Sequence, residues 1–132
     1  MHIDPTPDQL QSFQAQLDDP APVYMLNLLR FKEHADGPDE GSAGAEAYMR
    51  YSALAADHLA RVGGELVWAG GCHDALIGPA DREWDVVALV RYPSRAKFVE
   101  MVSDPDYLAA TAHRTAGLAE SRLVPCTKAP LG

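Results

Sequence analysis

Val23-Tyr24-Met25-Leu26-Asn27-Leu28-Leu29-Arg30-Phe31 is the stretch that most limits what this chain can become. Nine residues is strand length, and a strand this apolar is covered on both faces rather than one. Asn27 and Arg30 are its only strongly polar members. Side chains alternate along a strand, so these two point to opposite faces. The fold must supply a layer on each side of this segment.

Three further segments read as strands. Glu65 to His73 is the second, and its paired glycines, Gly70 and Gly71, predict a bulge or a close approach to the backbone. Trp84 to Tyr92 is the third. Its even face, Trp84, Val86, Ala88 and Val90, is expected to meet helices. Its odd face mixes Val87 and Leu89 with Asp85 and Arg91, and is expected to look elsewhere. Ser121 to Cys126 is the last, and Pro125, which cannot donate to a ladder, places it at an edge.

Helical periodicity fills the gaps. Ala45 to Val62 puts Tyr48, Tyr51 or Ser52, Ala55, Leu59 and Val62 on one face, and Gly63-Gly64 closes it. Ser94 is a natural N-cap for a helix carrying Ala96, Phe98, Val99 and Val102. Asp104-Pro105 breaks that helix, and Tyr107 to Leu118 continues it. An N-terminal amphipathic helix, Gln9 to Leu17, presents Leu10, Phe13 and Leu17. Residues 33 to 44 mix Gly37, Pro38, Gly41 and Gly44 with acidic residues and read as a flexible, solvent-exposed loop, long enough to act as a lid.

The order strand, helix, strand, strand, broken helix, strand is a split βαβ unit. It implies an α+β, ferredoxin-like βαββαβ fold: a four-stranded antiparallel sheet with helices on one face, one domain over residues 1–132. A single copy leaves the other sheet face bare. Strands this apolar are not left in water, so a second copy is expected to cover it, giving a homodimeric α+β barrel.

The net charge of −8 repels phosphate backbones and anionic lipid, so neither nucleic acid nor a membrane is expected as a partner. The opening Met1-His2-Ile3-Asp4-Pro5 has no basic-then-apolar signal, and no apolar run approaches the about 18 residues of a bilayer span. A cytoplasmic address is expected, with Cys72 and Cys126 as reduced strand thiols.

From Tyr92-Pro93-Ser94-Arg95, through Phe98 and Asp104-Pro105-Asp106-Tyr107, to His113-Arg114 and Gly117-Leu118, the chain resembles an uncharacterised family, domain of unknown function 1330. Leu26 to Phe31, the helix bearing Tyr48 and Tyr51, and Trp84-Asp85 look like a longer branch of it, so the resemblance spans about residues 22 to 127. It implies the dimeric α+β barrel superfamily. That superfamily houses cofactor-independent monooxygenases, lactone isomerases, haem enzymes and ligand-sensing regulatory domains, and fold alone does not choose among them.

Polar residues set into apolar strands, with tyrosines on the covering helix, form the candidate site. Asn27, Arg30, Tyr48, Tyr51, Trp68, Trp84 and Arg114 are the expected ligand-binding residues; His113, Asp85 and Arg91 are the expected catalytic ones. An apolar cavity with a few fixed polar groups suits a small molecule. Arg30 or Arg91 would clamp a carboxylate or enolate by paired hydrogen bonds. His113 would serve as acid or base, with Asp85 orienting it or holding an arginine. Tyr48 and Tyr51 would donate to a substrate oxygen, and Trp68 and Trp84 would stack on a flat ring. Each has a plainer reading as packing, dimer surface or solvated helix face.

No cofactor or metal is expected, because His58, His73 and His113 form no His-x-x-x-His pair and no Cys-x-x-Cys accompanies them. Asp57-His58 reads as an exposed dyad, and Ser94 and Ser52 have no base nearby in sequence. The leading expectation is a homodimeric protein binding a small molecule, its enzymatic form being cofactor-independent proton transfer or monooxygenase-like chemistry on a small carbonyl or aromatic compound. Two alternatives stand beside it: a non-enzymatic assembly or regulatory ligand-sensing module, and a haem or metal enzyme. No motif fixes a reaction.

Overall fold

Val23–Phe31 (β1) runs between two antiparallel neighbours in the computed structural model, which describes residues 1–131. Before it comes α1 (Pro7–Gln14); after it come a short 3-10 turn (Gly37–Asp39) and α2 (Gly44–Arg61). β2 (Glu65–Gly71), β3 (Val86–Tyr92), α3 (Arg95–Val102), α4 (Pro105–Gly117) and β4 (Leu118–Cys126) complete the chain. The sheet order is β2-β3-β1-β4 with every pair antiparallel, the ferredoxin-like arrangement. β4 and its Pro125 lie at an edge, where a missing N–H costs least. Among the described residues no helix is long and apolar enough to cross a membrane.

The register sorts side chains into two faces. Val23, Met25, Val90 and Tyr92 pack with Val62, Met101, Tyr107 and Phe98, so this is the helix side. Three cross-sheet rows share it: Leu66, Val90, Met25 and Pro125; Ala69, Ala88, Asn27 and Leu123; Gly71, Val86, Leu29 and Ser121. On the opposite face Trp68, Leu89, Leu26 and Val124 align across all four strands. Among the described residues no helix covers that apolar row, and Trp68 is 60% exposed.

Local chemistry moves several boundaries. The N-terminal helix starts at Pro7 because Thr6 and Gln9 form a reciprocal capping box, and it stops at Gln14, short of Leu17. β2 ends at Gly71 rather than His73, and β3 begins at Val86 rather than Trp84. Asp85 still holds the ladder together: its N–H donates to the Leu29 carbonyl and its own carbonyl accepts from Cys72. The last strand opens at Leu118, directly on the end of α4, three residues ahead of Ser121. The bulge in β2 falls at Leu66–Trp68, not at the glycines. Gly70 instead makes room for the Trp68 indole, which lies where a Cβ would sit. Ser94 caps α3 as expected, accepting from the Lys97 N–H at 3.2 Å.

A backbone junction fixes how the helix layer sits on the sheet. Lys32, just beyond β1, donates its N–H to the Gly117 carbonyl at 2.8 Å and accepts from the Gly44 N–H at 3.1 Å. The start of α2 and the end of α4 thereby touch backbone to backbone. A Cβ on Gly44 would overlap the Lys32 carbonyl, and one on Gly117 would overlap the Gly44 carbonyl. Behind the junction sit Ala47, Ala116 and Ala35, all buried. Only small residues fit here.

Gly117→Ala therefore forces main chain apart and is expected to cost about 1–3 kcal/mol, as overpacking does. Thermal unfolding followed by circular dichroism measures it; an unchanged melting temperature would remove the junction from this account.

Candidate functional site

Four tyrosines meet in the layer between α2, α4 and the sheet. Tyr48 and Tyr51 come from α2, three residues apart and so on one helical face. Tyr107 opens α4, and Tyr92 closes β3 on its helix side. The Tyr48 ring lies 5.5 Å from Phe31 and 5.3 Å from Tyr51, whose ring is 6.1 Å from Tyr107. The Tyr51 and Tyr107 hydroxyls are 2.6 Å apart, one donating to the other. Edge-on contacts extend the cluster to His58 against Tyr107 at 6.0 Å and to Phe98 against Tyr92 at 5.0 Å. His58 is thus packed, with Asp104 3.8 Å away, and is not the exposed dyad the sequence suggested.

Withdrawal from water pushes the Tyr48, Tyr51 and Tyr92 phenols far above the ordinary tyrosine value of 10, and neighbouring phenols push the same way. Tyr107 is raised too, chiefly by burial, against the Tyr51 hydrogen bond that lowers it. The positive charge of Arg114 opposes the rise at Tyr48, Tyr51 and Tyr107. These phenols stay neutral and remain donors at any ordinary pH.

Arg114 reaches this cluster because Tyr107, Ala110, Arg114 and Gly117 repeat at helical spacing along one face of α4. Its side chain is only 16% exposed, and its Nη1 donates to the Ile3 carbonyl at 2.6 Å. The N-terminal segment is held beside it as a strap. Ser121 Oγ donates to the His2 carbonyl at 2.6 Å, and the His2 N–H donates to Glu120. Partial burial acts to raise the Glu120 pKa, but the backbone N–H groups of His2 and Ser121 bring it down to about 2.

A second polar unit lies in the acidic loop, and the sequence reading missed it. Asp39 is 3% exposed. One carboxylate oxygen bonds His113 Nδ1 at 2.7 Å, the other accepts from Arg50 Nη1, and Arg50 Nη2 donates to Ser42 Oγ at 2.9 Å. Burial acts to raise the Asp39 pKa, yet the hydrogen bonds and charge of His113 and Arg50 outweigh it and hold the carboxyl below its ordinary range. The segment is mostly exposed, as expected, but it is anchored rather than free. It is pinned to α2 and α4 through a buried carboxylate, with the bridge between His34 and Ala43 closing its base.

The ten expected site residues separate. Asn27 shares the helix side with Tyr48, Tyr51 and Arg114, and its side-chain amide donates to the Met25 and Ala88 carbonyls. His113 is paired with Asp39, not Asp85. Asp85 accepts from the Phe31 N–H at 2.8 Å and lies 3.2 Å from Arg82, so it terminates β1 and holds an arginine other than Arg91. Arg91 and Trp68 belong to the opposite sheet face by register, and strand parity puts Arg30 there as well. Trp84 is stacked under the Arg122 guanidinium, 5.1 Å from its ring centre. Arg30, Arg91 and Trp68 cannot line one pocket with the tyrosines, because a sheet lies between, and Asp85 and Trp84 are engaged by partners outside the cluster.

A groove of about 440 Å³ between Asp36–Pro38 and the outer side of α4, and one of about 280 Å³ beside Tyr24, Leu89 and Cys126, are open to solvent and touch none of the ten. Among the described residues no three His, Cys, Asp or Glu gather to hold a metal.

The tyrosine geometry sets an alkaline limit. Folded pKa values raised above the unfolded value leave the stabilisation intact below about pH 10, and it is lost as pH climbs through the folded values. Of the chain's five tyrosines, four should ionise only together with unfolding. Absorbance of tyrosinate recorded beside circular dichroism during a pH rise checks this, and four tyrosines titrating in the intact fold would contradict it.

Comparison with known proteins supports the fold. The protein of unknown function RPA0582 from Rhodopseudomonas palustris is 44% identical, with 97% of each chain covered and a TM-score of 0.90. A dimeric protein of unknown function with a ferredoxin-like fold from Bacteroides fragilis is 12% identical, with 81% of this chain and 96% of that one covered and a TM-score of 0.53. Hydroxynitrile lyase from Passiflora edulis is 14% identical, with 86% of this chain and 98% of that one covered and a TM-score of 0.57. The last two share the fold alone. No curated protein matches the sequence. The family model described as domain of unknown function 1330 matches residues 42–125, starting later than the resemblance at residue 22 suggested, and the chain belongs to that family.

Proposed function

We propose that this protein is a homodimer, each subunit a single ferredoxin-like domain, that binds a small carbonyl or aromatic molecule between α2, α4 and the sheet. One observation carries the reading: phenol hydroxyls and a guanidinium are gathered inside an otherwise apolar layer. Placing polar groups there costs stability unless each is hydrogen-bonded, and a few fixed polar groups in apolar surroundings are what a small-molecule site contains. Tyr48, Tyr51 and Arg114 are the binding residues, Asn27 lies on the same side of the sheet, and the N-terminal strap borders the space. His113, held by Asp39 at one ring nitrogen, is the acid–base group if the bound molecule is turned over.

The dimer part of the proposal draws on the opposite face. The row Trp68, Leu89, Leu26 and Val124 has no cover within the chain. Leu76 and Ile77, on the connection after β2, are 98% and 94% exposed. An exposed apolar row of this kind on a protein of charge −8 favours a second copy, which brings a matching apolar row by symmetry. Arg30 and Arg91 are then interface residues rather than substrate clamps.

Thermal shift against a panel of small carbonyl and aromatic compounds tests the binding claim. At a hundredfold excess over Kd a bound ligand adds about 2.7 kcal/mol, a rise of several degrees. At least one compound should raise the melting temperature of the wild type and not of Arg114→Gln. No stabilisation by any of them would contradict the proposal.

A further inference from the structure

The tyrosine layer has a sign as well as a shape. An O–H to O–H contact uses only one of its two protons, so the Tyr51–Tyr107 pair keeps one donor unspent. Every side-chain nitrogen or oxygen sealed from water has a hydrogen-bond partner among the described residues. The hydroxyls of Tyr48 and Tyr92 hold no such bond among the described residues, so neither is wholly sealed from water, although Tyr92 is only 6% exposed. Arg114 spends one N–H on the Ile3 carbonyl and has others to give.

Acceptors are scarce by contrast. The carboxylate near Arg114 is Asp4, 3.9 Å away with its side chain 77% exposed, outside the layer. Asp39 is fully engaged by His113 and Arg50. Among the described residues the other ionisable ring at the cluster is His58, which lies beside Asp104. Donors and positive charge therefore converge where negative charge does not. The protein's overall charge of −8 does not cancel this, since exposed charges are screened beyond about 8 Å at physiological salt.

Resting on the reading that this space takes a small molecule, we infer that what it recognises is an anionic or enolic oxygen on a flat molecule, received by the hydroxyls of Tyr48, Tyr51, Tyr92 and Tyr107 and the guanidinium of Arg114. Donors fixed in advance on largely buried side chains favour an oxyanion over the neutral form, which is how such receptors act. The raised phenol pKa values support this, because the tyrosines do not compete with the ligand for negative charge. The substrate class is thus a phenolate, enolate or carboxylate rather than a neutral ring.

The test pairs 4-nitrophenol, whose ionised form is yellow, with its neutral methyl ether, 4-nitroanisole. The wild type should bind 4-nitrophenol more tightly by about tenfold or more, with the phenolate band appearing at a pH where the free probe is still neutral. Tyr48→Phe and Tyr51→Phe should each weaken that binding by about ten- to a hundredfold, the size of a charged hydrogen bond, and leave 4-nitroanisole unchanged. Arg114→Gln should do the same. Because it also loosens the strap, Tyr48→Phe, which breaks no hydrogen bond in the protein, is the decisive variant. Equal binding of both probes would overturn the oxyanion inference and leave small-molecule binding standing. Binding of neither would bring down both. A phenolate preference untouched by the tyrosine substitutions would place it elsewhere and overturn the inference.

Discussion

A four-stranded sheet has two faces, and this chain carries helices for only one of them. That imbalance governs everything else. On the helix side, Met25 and Tyr92 are buried under α2, α3 and α4 with the half-buried Val90 packed against them, and they make the core. On the other side, four strands present a row with no polar member, and removing such a row from water is worth roughly 25 cal/mol per Å². The bare face is where the proposed second copy sits, and the covered face is where the proposed ligand sits. The two roles are separated by one layer of backbone.

How closely the helices ride on the sheet is decided at the Gly44–Lys32–Gly117 junction. Because neither glycine has a Cβ, α2 and α4 are drawn together at one end. Tyr48 lies one turn further along α2 and Arg114 one turn back along α4, so the same junction that ties the backbone brings phenol and guanidinium within reach of each other. The buried Asp39 fastens the preceding loop to both helices. Removing one partner from such a buried ionic group leaves the others uncompensated, which is why it holds the loop in one place.

Strand identity and order were legible because period-two alternation and apolar runs survive in the sequence: β1 as the central strand, β4 with Pro125 as an edge, and the even face of β3 toward the helices all follow from it. The grouping of the site was not. Asn27 and Arg30 differ by an odd number of positions, and that parity already forbade them from sharing a pocket; Arg91, next to Val90, fails for the same reason, whereas Trp68 is turned to the far face by the bulge after Leu66. Tyr92 was recoverable, lying two residues from Val90 on the helix side. Tyr107 was recoverable from its seven-residue spacing to Arg114. Asp39 was not, because a carboxylate among Gly37, Pro38 and Gly41 looks solvated, and its partner His113 lies 74 positions away. Of the two readings of the paired glycines, the close approach holds at Gly70, where the neighbour is Trp68, and the bulge falls upstream at Leu66–Trp68.

Solution mass measured by light scattering across micromolar concentrations, for the wild type and for a Leu26→Asp/Leu89→Asp variant, tests the central claim most directly. The account predicts twice the 14.3 kDa chain mass for the wild type and a shift toward the single-chain mass when two carboxylates enter the apolar row. A wild-type protein that keeps the single-chain mass with native circular dichroism would contradict it, since the row would then be standing in water with nothing to cover it.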